Sequence, residues 1–143
     1  MYYKWRQSPQ LIQRYRMNCT SCDEPMIVLE VNEVEVDYCL ECGGIWLDSG
    51  ELGILLGDES KVKHVLKEAI PAPKKTETYR KCPICLKKME EIEIGKDKKI
   101  FIDRCRNSHG LWFDRGELRN FAEFMDHGEG SKVVKLLKEM FGE

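Results

Sequence analysis

Seven cysteines and one histidine carry the metal-binding chemistry of this chain, and they fall into one pattern twice. Cys19 and Cys22 are two residues apart, as are Cys39 and Cys42, with sixteen residues between the pairs. Cys82 and Cys85 repeat the first pair, and after nineteen residues Cys105 and His109 stand where a second pair is expected. Two close thiolate pairs joined by a loop of about 15–20 residues have the spacing of a tetrahedral zinc site. The expected ligands are Cys19, Cys22, Cys39 and Cys42 for one ion, and Cys82, Cys85, Cys105 and His109 for another, two zinc ions per chain.

The two sets differ in chemistry. Four thiolates suit a closed structural zinc site, and they also describe a rubredoxin-like iron centre, an electron carrier. A histidine in the second set departs from all-thiolate iron, and two copies in one chain favour one metal. Aligned on Trp46 and Trp112, Ser108 takes the place of Cys42 and His109 lies opposite Gly43. Serine is a poor zinc ligand, whereas the longer imidazole can complete a Cys3His set from one residue along. The alternative is a second half that has lost its metal and is held by packing alone.

Such ligands need elements that bring distant pairs together. Between the pairs, Met26, Val28, Val34, Val36 and Tyr38 alternate with Glu30, Glu33, Glu35 and Asp37 around a turn near Asn32-Glu33, the period of a β-hairpin. Ile92, Ile94, Ile100 and Ile102 do the same around Gly95-Lys96-Asp97-Lys98. A hairpin returns its second ligand pair to its first, which is the architecture of a zinc ribbon. Each set then runs into a repeated phrase, Gly44-Ile45-Trp46-Leu47-Asp48-Ser49-Gly50-Glu51-Leu52 and Gly110-Leu111-Trp112-Phe113-Asp114-Arg115-Gly116-Glu117-Leu118. Asp48 and Asp114 precede Glu51 and Glu117 by three residues, the capping-box spacing, so they are expected to cap helices rather than move protons. Those helices carry Leu52, Leu55 and Leu56, or Leu118, Phe121, Ala122 and Met125, at helical spacing, with Gly57 and Gly128 placed to end them. Amphipathic stretches close both copies: Val62, Val65, Leu66, Ala69 and Ile70, then Val133, Leu136, Leu137, Met140 and Phe141. They are expected to pack inward, a docking or self-association surface being the other use. Trp46 and Trp112 are expected to pack beneath the knuckles, and His64 and His127 to be surface residues.

The expectation is a small α+β, metal-stabilised protein of tandem zinc ribbons, each knuckle, hairpin and knuckle followed by short amphipathic helices. Its parts are a basic arm over 1–16, a first unit over 17–70, a proline-bearing linker over 71–79 and a second unit over 80–143. Units near sixty residues have marginal cores, and zinc supplies about 10–16 kcal/mol in small zinc peptides, so the metal-free chain is expected to be largely unfolded within each unit.

Charge separates along the chain. Residues 19–70 hold 12 acidic and 3 basic side chains, while the arm holds Lys4, Arg6, Arg14 and Arg16 and no acid. The acidic unit is poorly suited to a phosphate backbone; the arm and linker suit one better. The start of the chain lacks an apolar run resembling a secretory signal, and no segment approaches the roughly 18 apolar residues of a membrane helix. Close cysteine pairs then favour metal over disulfides, and a cytoplasmic protein without a membrane partner is expected.

Cys-Pro-x-Cys, a hairpin, then Cys-x-x-Cys-Gly-Gly-x-Trp-Leu-Asp-x-Gly-Glu-Leu resembles the transcription factor IIB-type zinc-finger family. Residues 19–22 and 39–52 carry the likeness in one copy, 82–85 and 105–118 in the other. It implies that Cys19, Cys22, Cys39, Cys42, Cys82, Cys85 and Cys105 bind zinc. Family members often place a histidine directly after the fourth cysteine; His109 keeps that place while Ser108 replaces the cysteine. Two function classes follow. One is a non-catalytic interaction module docking onto a protein partner; the other is a nucleic-acid-binding or transcription-associated factor. No thiol, serine or carboxylate constellation is left for an enzyme once ligands and caps are assigned.

Overall fold

The computed structural model describes residues 17–73, 80–126 and 132–141. The basic arm, most of the linker, His127 and the helix stop expected at Gly128 lie outside the described residues.

Two hairpins form where alternation places them. Strand β1 (Ile27–Val31) pairs antiparallel with β2 (Val34–Tyr38), Val31 facing Val34 across a two-residue turn. Asn32 and Glu33 both take left-handed φ, 49° and 70°, the mirror-image turn whose twist suits a hairpin. Asn32 Nδ2 donates to Leu55 O at 3.1 Å, tying the turn to a helix end. The expected phase of β1 is off by one: Leu29 and Val31 are buried in the main core, while Met26 enters a separate cluster and Val28 is only half-buried. A hydrophobic neighbour on each side of Val28 makes either phase plausible from sequence. The second hairpin, β5 (Glu90–Ile94) and β6 (Ile100–Arg104), buries Ile92, Ile94, Ile100 and Ile102 as expected.

The repeated phrase after each ligand set is first a strand. Ile45–Asp48 forms β3 and Gly110–Phe113 forms β7, and the two pair antiparallel with each other, Trp46 opposite Trp112. With the short β4 (Ile70–Pro71) against β5, one seven-stranded sheet results, in the order β1-β2-β3-β7-β6-β5-β4. Because like residues face each other in the middle, a pseudo-twofold axis runs through the tryptophan pair and exchanges the copies, as an isologous contact does in a dimer.

Alternate residues of β3 and β7 serve two cores, one on each face. Ile45, Leu47, Leu111 and Phe113 join the main core with the hairpin apolar residues and the helices. Trp46 and Trp112 point the other way, into a cluster of Met26, Met89 and the ligand cysteines. Each indole lies over the other copy's glycine: a Cβ on Gly44 would overlap the Trp112 ring, and one on Gly110 would overlap the Trp46 ring and the Leu47 carbonyl. Trp46 and Trp112 are 0% exposed, the packing role expected of them.

Helix α1 (Glu51–Leu56) stops after six residues at Gly57, whose φ of 76° closes it. Its counterpart α3 (Glu117–Asp126) runs ten, with Glu123 where the first copy has Gly57. Helix α2 (Glu59–Glu68) is capped by Asp58, whose side chain accepts from Lys61 N at 3.1 Å, and α4 (Lys132–Phe141) packs on α3. Val62, Val134 and Leu137 are buried and most other apolar residues of these two helices are partly so, whereas Ile70 leaves the expected helix for β4 and is exposed. His64 is exposed on α2. The copies are stitched by Lys61 Nζ to Met125 O at 2.9 Å, Arg104 Nη1 to Leu66 O at 3.0 Å, and the Tyr38 and Phe141 rings at 5.0 Å.

Candidate metal centres

Each ligand pair sits on a tight turn bordering a strand. The turn after Cys19 has Asp23 N donating to Cys19 O at 2.8 Å, and its counterpart has Leu86 N donating to Cys82 O at 2.8 Å. Asp23 and Leu86 take left-handed φ of 64° and 63°, so the knuckle recurs in detail. Backbone N–H groups point at the sulfurs: Ser21 and Cys22 donate to Cys19 Sγ at 3.2 Å, and Ile84 to Cys82 Sγ and Asn107 to Cys105 Sγ at 3.3 Å. Such donors stabilise thiolate over thiol.

All eight expected ligands gather into two sets, Cys19, Cys22, Cys39 and Cys42, and Cys82, Cys85, Cys105 and His109, with the donor atoms of each set within 4.8 Å of one another. A zinc tetrahedron with Zn–S near 2.3 Å has sulfur–sulfur edges of about 3.8 Å. Cys19 Sγ to Cys42 Sγ is 3.6 Å and Cys85 Sγ to Cys105 Sγ is 3.7 Å. His109 presents Nδ1, 3.4 Å from Cys105 Sγ and 3.9 Å from Cys82 Sγ, against an expected edge of about 3.6 Å. Both sets fit a tetrahedral zinc ion, two per chain.

The backbone explains how the histidine reaches. In the first site the left-handed residue after the third ligand is Gly43, with φ 78°; in the second it is Ser108, one place earlier in the repeat, with φ 64°. Shifting that turn by one residue takes the serine out of the ligand position and brings the imidazole in. Asn107 adds a donor the sequence did not reveal, its Nδ2 lying 3.7 Å from Cys85 Sγ.

Without metal, the thiols are pulled in opposite directions. Burial pushes Cys19 and Cys82 up to about 11, against the nearby N–H donors. The Lys87 N–H, then His109, Asn107 and Cys105, bring Cys85 down to about 6 despite some burial. An incoming ion must therefore displace protons, so acidification favours its release.

The acids following the ligands do not cap. Asp48 Oδ1 accepts the Trp46 indole N–H at 2.9 Å, and Asp114 Oδ1 accepts that of Trp112 at 3.1 Å. A fully buried indole needs a partner, and the Trp-x-Asp spacing on a strand supplies one on the same face. Gly50 precedes α1 without a side-chain cap; only the reverse half of the expected box survives, Asp48 N donating to Glu51 Oε1 at 3.0 Å. In the second copy Arg80 reaches Asp114 at 3.1 Å and Asp103 at 3.6 Å. Met17 holds the equivalent backbone place in the first copy, bonding Met26 as Arg80 bonds Met89. Asp37, counterpart of Asp103, is pushed up to about 7 by burial and then by Asp48, Glu51 and Glu35.

The sequence profile of the transcription factor zinc-finger family matches residues 18–57 and 81–123, taking in every ligand, Trp46 and Trp112. No curated protein and no solved structure matches the chain. With over half its length inside the two matched segments, the chain belongs to the transcription factor zinc-finger family and carries that family's ribbon twice in tandem.

Proposed function

We propose that this protein is a non-catalytic interaction module, two zinc-held ribbons that dock onto a protein partner. The observation that carries the reading is the closure of both metal sites: four protein donors converge in each, leaving a tetrahedral ion no position for water or substrate. The metal then works as a staple. The acids nearest the sites are engaged by indoles rather than poised for proton transfer. Trp46 and Trp112, both buried, offer no face on which a base can stack, and the acidic first copy suits a phosphate backbone poorly, which favours protein over nucleic acid. No helix among the described residues is long and apolar enough to cross a membrane. Reduced ligand thiols accord with a cytoplasmic setting.

Affinity capture from native extract, with and without nuclease, tests this reading. A partner retained after nuclease supports it. Steeply salt-dependent duplex binding that is lost on neutralising Lys4, Arg6, Arg14 and Arg16 replaces it with the nucleic-acid class. Metal analysis addresses the iron alternative, since a red protein with charge-transfer bands would be a rubredoxin-like carrier.

A further inference from the structure

The pseudo-twofold that exchanges the ribbons also exchanges two clefts, and only one of them is open. The open cleft has a volume of about 380 Å³, against about 20 Å³ for its twin. Ser49, Gly53 and Arg104 line the open one; their repeat counterparts Arg115, Arg119 and Tyr38 line the closed one. The closed cleft is also lined by Phe141, whose ring lies 5.0 Å from that of Tyr38. On the open side α2 ends at Glu68 and the chain departs into β4, so among the described residues no ring takes the corresponding place. Among the described residues the open cleft thus lacks two long side chains and one aromatic ring that its twin possesses.

We propose that this cleft docks an aromatic side chain of a partner peptide with a carboxylate beside it. The proposal rests on the protein-docking reading above and names the surface that would serve it. Leu52, Val62 and Leu111 give the cleft apolar walls. Arg104, standing where Tyr38 stands in the twin, is held by Nε to Glu90 Oε2 at 3.1 Å and Nη1 to Leu66 O at 3.0 Å. A guanidinium fixed in one plane can receive a ring on its face, where in the twin Tyr38 meets Phe141 at a tilt of 42°. On the rim, Lys63 is exposed and, among the described residues, has no ion-pair partner. It offers an ammonium to the accompanying carboxylate. Glu59, also exposed and one turn earlier on the rim, competes with that carboxylate for Lys63, which limits the carboxylate's contribution to a few-fold in affinity.

The test titrates the zinc-loaded full chain, observed by amide NMR, with N-acetyl-phenylalanine, its C-terminal amide, and N-acetyl-glutamate. Saturable shifts are expected at Gly50, Gly53, Ser108 and Gly110 with the first probe, binding about 3–5-fold weaker with the amide, and none with N-acetyl-glutamate. Lys63→Ala should erase the difference between the acid and the amide. Ser49→Arg, which copies the twin's Arg115, should abolish the shifts while two zinc ions per chain are retained. Absence of saturable shifts at these amides in the wild-type chain overturns the proposal, as does their persistence undiminished in Ser49→Arg. Equal binding of acid and amide overturns the carboxylate. None of these results touches the docking reading, which stands or falls on nuclease-resistant capture.

Discussion

The two ribbons share a knuckle, a hairpin and a central strand, yet they solve the same two problems differently. The first closes its metal site with a fourth thiolate and leaves Asp37 and Asp48 without a cation among the described residues. The second closes its site with an imidazole and sets Arg80 across Asp103 and Asp114. The repeated strand constrains the tryptophan and the glycine beneath the opposing indole, because those contacts cross the pseudo-twofold and involve both copies, and the aspartate, because it accepts the indole N–H within each copy. What lies away from the axis is free to differ.

Removing the metal is the largest way to break the comparison. Chelation to zero zinc should collapse both halves, since each ion supplies about 10–16 kcal/mol in small zinc peptides, and loss of the circular dichroism signal would report it. Cys39→Ser should leave one zinc per chain and unfold the first hairpin first, seen as loss of amide protection in β1 and β2. A chelated protein with an unchanged melting curve would sink the metal-staple account altogether.

The tryptophans come next. Trp46→Ala and Trp112→Ala should each cost about 3–5 kcal/mol in denaturant melts, and by nearly equal amounts, because each ring fills the other copy's glycine notch. A large inequality would mean that the axis is less symmetric than its register implies.

His109→Ala sharpens the contrast between the sites. It should lose zinc from the second site to a competing chelator while the first site keeps its ion, with His109→Cys restoring retention. One zinc per chain in the wild type, unchanged in His109→Ala, would show that the second half does without metal.

The smallest effect concerns the cation that the first copy lacks among the described residues. Met17→Arg should supply the first copy with the counterpart of Arg80 and raise Tm by about 2–4 °C. The sign for Asp37 follows from its raised value. Its ordinary carboxyl, near 4 in the unfolded chain, titrates near 7 when folded, so the cost of ionising it sets in as pH rises through that window. Asp37→Asn should therefore stabilise the zinc-loaded protein at pH 8 and make little difference at pH 4–5.

The ligands and hairpins were legible because their signals are local: Cys-x2-Cys spacing, alternation of period two, a turn between. Even His109 was legible, from spacing alone, although the shift of the left-handed turn from Gly43 to Ser108 was not. The central pairing was hidden for the opposite reason. Ile45–Asp48 and Gly110–Phe113 are too short and too uniformly apolar to declare a face, and Asp48 three residues before Glu51 looks like a cap until a buried indole is seen to claim it. The partners of β3 and β7 lie 62 to 68 residues apart in the chain, beyond the reach of any local pattern.

A strand that pairs with its own repeat needs no second kind of surface to do so. One ribbon alone could make the contact with another molecule of itself, and joining the pair in a single polypeptide replaces a concentration-dependent encounter with an effective concentration in about the millimolar range. Covalent linkage also lifts a rule that binds identical subunits, in which every substitution appears on both sides at once. Serine and glycine on one flank, two arginines on the other, are an outcome that a symmetric assembly is unable to reach.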